Sequence, residues 1–194
     1  VNNEKILSDS LAVLAALRAQ GVDVRRVSAD SRRIGVGDLF IALPGRRCDG
    51  RAYIDDALAR GAAAVVWEAG NESDGAVEDL ARHLAQVPNV AVAGLQKLAG
   101  DLAHEIYGHP SADLWLCGIT GTNGKTTVSQ WIAQAMACLG RSCGVIGTLG
   151  NGLPGALRES ANTTPDAISV HAELADLRSR GAIGCAMEVS SIGL

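Results

Sequence analysis

Apolar positions along this chain recur in two rhythms that alternate almost from end to end. Leu11, Leu14 and Leu17 fall at helical spacing within 10–20, and Gly21 stands behind them as a stop signal. Val24 to Val27 reads as a strand, and Ser28-Ala29-Asp30-Ser31 as a polar turn. The run Leu39 to Leu43, closed by Pro44-Gly45, has the length and content of a buried strand. A helical spacing follows over 51–60 through Tyr53, Ile54, Ala57 and Leu58, ended by Gly61. Ala63 to Trp67 predicts a strand, 75–85 a helix and Val90 to Val92 another strand. Leu95, Leu98, Leu102 and Ile106 share one face of a further helix.

Gly108-His109-Pro110-Ser111 interrupts this pattern, so a domain boundary is expected there, giving domains 1–108 and 109–194. Beyond it, Leu114 to Ile119 predicts an apolar, buried strand that runs into a glycine-rich loop. Helix is expected over 125–139 and strand from Cys143 to Ile146. A second helix is expected over 165–180, with Pro165 near its first turn, and a last strand from Gly184 to Val189. Strands alternating with helices imply an α/β fold with parallel sheets and right-handed crossovers. A second sheet of three central strands would leave an unpaired edge.

Composition changes the picture in three places. The 23 glycines suit tight strand-to-helix turns, whereas aromatics make up 3% of residues, so the cores must be aliphatic. A formal net charge of −4 argues against nucleic acid or an anionic membrane as the main partner, without excluding a local phosphate pocket. Five cysteines without a CxxC pair, two of them (Cys117 and Cys185) inside apolar runs, point to buried thiols in a reducing compartment. The N-terminal run is too interrupted by charge to be a signal peptide, and no apolar run approaches the ~20 residues of a membrane span. A cytoplasmic protein is expected.

The strongest chemical signal is Gly118-Ile119-Thr120-Gly121-Thr122-Asn123-Gly124-Lys125-Thr126-Thr127, set between an apolar strand and a helix. A strand that delivers a glycine-rich loop into a helix start aims several backbone N–H groups at one cavity, where the helix dipole favours anions. Gly121 and Gly124 allow close approach to phosphate oxygens, Lys125 supplies charge to the β- and γ-phosphates, and Thr126 a hydroxyl for Mg²⁺. The loop is a variant P-loop: Ile119 stands where the standard form has its first glycine. ATP and Mg²⁺ are therefore the expected cofactors. The loop alone does not name the second substrate.

Thr120 to Thr127 (TGTNGKTT) resembles the ATP loop of the Mur ligase family. Downstream, Gly147 to Gly152, then Asn162-Thr163-Thr164-Pro165, then Ala186 to Ser191 follow in the order and spacing of its MurE type. Upstream, Asp30-Ser31-Arg32, Gly37-Asp38-Leu39-Phe40, Leu43-Pro44-Gly45 and Asp49-Gly50 resemble that type's N-terminal domain. The resemblance implies a small N-terminal α/β domain for the substrate's uridine nucleotide, followed by the first part of a P-loop ATPase domain. It implies an ATP-dependent carbon–nitrogen ligase that adds diaminopimelate or lysine to UDP-MurNAc-L-Ala-D-Glu in peptidoglycan synthesis. The reaction would pass through an acyl phosphate, and positioning with charge neutralisation would carry the phosphoryl transfer.

Carried over residue by residue, the resemblance implies that Gly121, Thr122, Asn123, Gly124, Lys125, Thr126 and Thr127 hold ATP. Lys125 and Glu188 would be catalytic, and Thr126 and Glu188 would hold the metal. Ala29, Ser31, Arg46, Arg47 and Cys48 would lie against the uracil nucleotide. Asn162, Thr163, Thr164 and Ser190 would contact the sugar-peptide, with helix capping ahead of Pro165 as the bland alternative for the two threonines. The family's MEVSSHGL reads MEVSSIGL here, so Ile192 replaces an imidazole. The family's remaining metal ligands and its amino-acid-binding C-terminal domain would lie past Leu194, and the 194-residue chain alone is expected to lack turnover. Two other readings stand beside this one: a UDP-sugar and ATP-binding module without turnover, and a P-loop kinase acting on a small metabolite.

Overall fold

The computed structural model describes residues 9–45, 49–69, 75–160 and 162–190, with backbone alone for 75–77. The chain divides into two compact units, Val1–Ile106 and Tyr107–Leu194.

In the first unit, helix α1 (Ser10–Ala19) precedes strand β1 (Val27–Ser28) and strand β2 (Leu39–Ala42). Helix α2 (Ile54–Ala59), strand β3 (Ala64–Glu68), helix α3 (Gly75–His83), strand β4 (Asn89–Val92) and helix α4 (Leu95–Ile106) complete it. The strands form one parallel sheet in the order β1-β2-β3-β4. Both faces are covered, which is why β2 and β3 read as continuous apolar runs rather than alternating ones. Phe40, Ala42, Val65 and Trp67 point to the side of Ile54, Ala57 and Leu84. Their neighbours Leu39, Ile41, Ala64 and Val66, equally buried, point the other way. Each Val, Leu, Ile or Phe among them, wholly removed from water, contributes about 1.5–3 kcal/mol.

Polar side chains close the ends of these elements. The Asp9 carboxylate accepts the Ala12 N–H at 3.2 Å to cap α1. Glu68, at the end of β3, accepts the Gly94 and Leu95 N–H groups at 2.8 and 2.6 Å and so caps α4. The indole N–H of Trp67 donates to Asn89 at 2.9 Å, giving the largest core side chain its polar partner. Strand β1 is shorter and later than the expected Val24 to Val27. Residues 23–26 are largely exposed, and the ladder with Leu39 starts only at Val27.

The second unit runs through helix α5 (Pro110–Asp113), strand β5 (Trp115–Ile119), helix α6 (Lys125–Cys138) and strand β6 (Cys143–Gly147). Strand β7 (Gly150–Gly152), helix α7 (Ala167–Ser179) and strand β8 (Gly184–Glu188) follow. Its sheet has the order β5-β8-β6-β7, parallel except for the antiparallel pair β6–β7. Ala133 of α6 packs with Cys143 and Val145, while Leu174 and Leu177 of α7 pack with Ile146 and Cys185. Adjacent residues of β6 point to opposite faces, so the two helices lie on opposite sides of the sheet. Among the described residues no helix is long and apolar enough to cross a membrane.

Three expectations change here. Strand β7 extends the expected three strands and covers the outer side of β6; Gly150-Asn151-Gly152 has turn chemistry and no apolar alternation to announce it. Strand β5 is not buried: it pairs with β8 alone in this sheet, and Trp115 and Leu116 are 52% and 43% exposed. Helix α7 starts at Ala167 rather than at 165, with Pro165 just ahead of it, because Asp166 is the cap and accepts the Ser169 N–H at 3.0 Å. That cap leaves Thr163 and Thr164 free for other partners.

Candidate functional site

Strands β5, β8 and β6 all run the same way, and their C-terminal ends lie side by side: Ile119 pairs with Glu188, and Ile146 with Met187. In open parallel sheets that edge is where ligands bind. The loop 120–124 leaves it from β5 and enters α6 through Gly124, whose φ of +81° is a conformation glycine adopts without strain. The N–H groups of the first turn of α6 have no partner within the helix and face the loop's mouth. Gly121, Thr122, Asn123 and Gly124 are exposed there. The Lys125 ammonium folds back to donate to the Gly121 carbonyl at 2.7 Å, which places a positive charge at the rim of the loop.

Glu188 is 1% exposed although it stands at the end of its strand. Burying a carboxylate is costly unless it is hydrogen-bonded, and here three donors meet it. The Thr126 hydroxyl donates to Oε2 at 2.9 Å, the Thr148 N–H to Oε1 at 2.9 Å, and the Thr148 hydroxyl to Oε2 at 3.1 Å. Gly147 makes room for this arrangement: a methyl group at its Cα would collide with the Glu188 carboxylate. Gly147→Ala is therefore expected to lower stability by about 1–3 kcal/mol, the usual cost of overpacking. Denaturant unfolding of the chain reads this directly, and an unchanged midpoint would contradict the packing.

Behind the carboxylate, the Thr164 hydroxyl donates to the Glu188 carbonyl and accepts the Ser190 N–H, both at 2.9 Å, with the Ser190 hydroxyl 3.1 Å away. Thr163 brings its hydroxyl to 3.1 Å from that of Thr148. Asn162 is exposed, its carbonyl accepting from Ser160. The structure thus gathers Lys125, Thr126, Thr163, Thr164, Glu188 and Ser190 at one end of the sheet. Thr148 and Gly147 join them unpredicted: nothing local in Gly147 to Gly152 marks a partner for Glu188.

A hydroxyl beside a carboxylate is a hard oxygen donor set that suits Mg²⁺. Among the described residues no group of three or more His, Cys, Asp or Glu could cage an ion. Mg²⁺ commonly takes one or two carboxylates and completes its shell with water and phosphate oxygens, so the donors present fit it. Burial pushes the Cys185 thiol up to about 12 and raises Cys143 as well, so these two are not poised as thiolates.

In the first unit, Ala29 and Ser31 follow the C-terminal end of β1, and Leu43 to Gly45 the end of β2. Asp30 caps the turn Ser31–Arg33 by accepting the Arg32 N–H, and its hydrogen bonds with the Arg32 guanidinium hold its carboxyl below the usual range. Arg51 does the same for Asp49. Ser31 is buried, with its hydroxyl on Asp56. Arg46, Arg47, Cys48 and Ile192 lie outside the described residues.

Two family models match the chain: the Mur ligase family catalytic domain over residues 23–107 and the Mur ligase middle domain over 119–194. The UDP-N-acetylmuramoyl-L-alanyl-D-glutamate–2,6-diaminopimelate ligase of Nitrosomonas europaea is 49% identical over 187 residues, 96% of this chain and 34% of that protein. The protein of the same name from Pseudomonas syringae pv. tomato is 51% identical over 171 residues, 88% of this chain and again 34% of that protein. The chain thus spans about a third of the length of the curated relatives it matches. A solved structure of a ligase of that name superposes with a TM-score of 0.65 at 30% identity, covering 88% of this chain and 32% of the other.

Proposed function

This chain belongs to the Mur ligase family, and from that premise we propose that it is the nucleotide-handling front of an ATP-dependent carbon–nitrogen ligase of peptidoglycan synthesis. The substrate is UDP-MurNAc-L-Ala-D-Glu. Its second partner is an amino acid, held by parts of the ligase beyond the third that this chain spans. The matched relatives are named for 2,6-diaminopimelate, so that amino acid is the first to test and lysine the second. A cytoplasmic location follows from the same reading, because UDP-linked precursors and ATP are made there.

One observation carries the proposal: a buried carboxylate, Glu188, hydrogen-bonded to the hydroxyl of the residue after the P-loop lysine, at the C-terminal edge of a parallel sheet. In this reading Lys125 leaves the Gly121 carbonyl to meet the β- and γ-phosphates of ATP, and the first-turn amides of α6 hold their oxygens. Thr126 and Glu188 hold Mg²⁺, which when bound neutralises charge on the transferred phosphoryl group. Thr163, Thr164, Asn162 and Ser190 face the acceptor. The acceptor carboxylate attacks the γ-phosphorus, ADP leaves, and the acyl phosphate then loses phosphate to the incoming amine. In the first unit Ala29, Ser31 and the segment Arg46-Arg47-Cys48 take the uracil nucleotide.

The full-length protein incubated with ATP, Mg²⁺, UDP-MurNAc-L-Ala-D-Glu and meso-diaminopimelate is expected to form one amide per ADP released, read by product mass and ADP. Phosphorylation of a small metabolite without amide formation would support a kinase instead. The family match weighs against that outcome. The 194-residue chain by itself is expected to bind Mg·ATP without forming product.

A further inference from the structure

The nucleotide-and-metal reading leaves Thr148 unused, although it gives the Glu188 carboxylate two of its three hydrogen bonds among the described residues. Its N–H goes to one carboxylate oxygen and its hydroxyl to the other, at 2.9 and 3.1 Å. A carboxylate free to turn about its last torsion would sweep both oxygens through a range of positions. Donors fixed on each oxygen by a single residue remove that freedom. Thr148 itself is held, because its strand neighbour Gly147 pairs with Gly150 across the tight β6–β7 turn.

A hydroxyl has one hydrogen and an ionised carboxylate can only accept. If Thr148 donates to Glu188, then at the 3.1 Å contact between the two hydroxyls Thr163 must be the donor. The order of donation runs Thr163 to Thr148 to Glu188. Meanwhile Thr126, the other hydroxyl on Oε2, sits at 2.9 Å. A carboxylate poised in this way presents its remaining lone pairs in a set direction before any cation arrives.

From this geometry we infer that Thr148 is a positioning residue that aims Glu188 at the cation, with Thr163 directing the Thr148 proton. The inference rests on Glu188 being a cation ligand, as proposed above. It makes cation affinity depend on a side chain that need not touch the cation and on the 162–164 loop behind it. Partners that orient a metal ligand are worth about 10- to 100-fold in metal affinity.

The test is binding of a fluorescent ATP analogue to the full chain, titrated with Mg²⁺. Thr148→Val keeps the branched shape and the backbone N–H but loses the hydroxyl. It is expected to raise the Mg²⁺ midpoint about tenfold, leaving nucleotide affinity without Mg²⁺ as in the wild type. Thr148→Ser should return the midpoint to within about twofold, and Thr163→Val should shift it in the same direction as Thr148→Val by a smaller factor. A side chain that merely supports the fold would move the melting temperature and not the Mg²⁺ midpoint. Should Thr148→Val fail to fold, Thr163→Val reads the same chain of donors without touching Glu188. A Mg²⁺-dependent wild type with unshifted midpoints in Thr148→Val and Thr163→Val overturns this inference alone. A wild-type chain that binds no nucleotide at any Mg²⁺ concentration overturns it together with the nucleotide reading.

Discussion

Replacing Lys125 with alanine in the full-length protein should lower turnover about 100-fold or more. The substitution removes one full positive charge from the rim of the phosphate loop and leaves the first-turn amides of α6 in place. Those amides bind ground-state phosphate oxygens by direction and partial charge. The ammonium matters more as negative charge redistributes toward the leaving oxygen during phosphoryl transfer. The loss should therefore fall mainly on kcat, with a smaller change in the KM for ATP. In the structure Lys125 bonds the carbonyl of Gly121, a contact within its own loop that can be exchanged for phosphate without disturbing the core. Stability should be nearly unchanged for that reason. A loss of turnover smaller than about threefold would show that Lys125 does not meet the transferred group.

Glu188→Gln is the second large effect, and the three donors around the carboxylate predict its form. Glutamine keeps the volume but replaces one acceptor oxygen by an NH₂ donor. The Thr148 N–H cannot reverse, so the amide oxygen must stay on its side, and the NH₂ must face the hydroxyls of Thr126 and Thr148. Hydroxyls can rotate to accept, so the fold should tolerate the exchange at a cost of about 1 kcal/mol. Cation binding should not survive it, since a donor now points where a cation would sit. Turnover in the full-length protein is expected to drop about 10²- to 10³-fold, with little recovery at raised Mg²⁺. Turnover within about fivefold of wild type would remove Glu188 from the metal site.

How much of this was legible beforehand depended on whether the signal was local. Strand–loop–helix order, the buried faces of α1 and α4, and the entry of a glycine-rich loop into α6 are written in residues a few positions apart. Periodicity finds them without knowledge of the rest. The surroundings of Glu188 are different. Its partner Thr148 lies 40 residues away in sequence, and the collision that forbids a side chain at Gly147 exists only once β6 and β8 are neighbours. The exposure of Trp115 and Leu116 likewise reflects the edge position of β5, which an apolar string cannot reveal. Asp166 was legible in principle as a helix cap, but the adjacent Pro165 carried a competing start signal. In the first unit, Asp30, Asp38 and Asp49 lie in motifs that the family resemblance ties to a nucleotide site. In the structure each closes a local turn or cap, with Asp38 accepting the Gly35 N–H at 2.9 Å.

The most direct measurement is a crystal structure of the chain with a non-hydrolysable ATP analogue and Mn²⁺, using the manganese anomalous signal to locate the ion. The terminal phosphates are expected against the start of α6 with the Lys125 ammonium upon them, and an anomalous peak within bonding distance of Thr126 and Glu188. Analogue bound away from residues 121–127, or manganese that ignores Glu188, would contradict this arrangement.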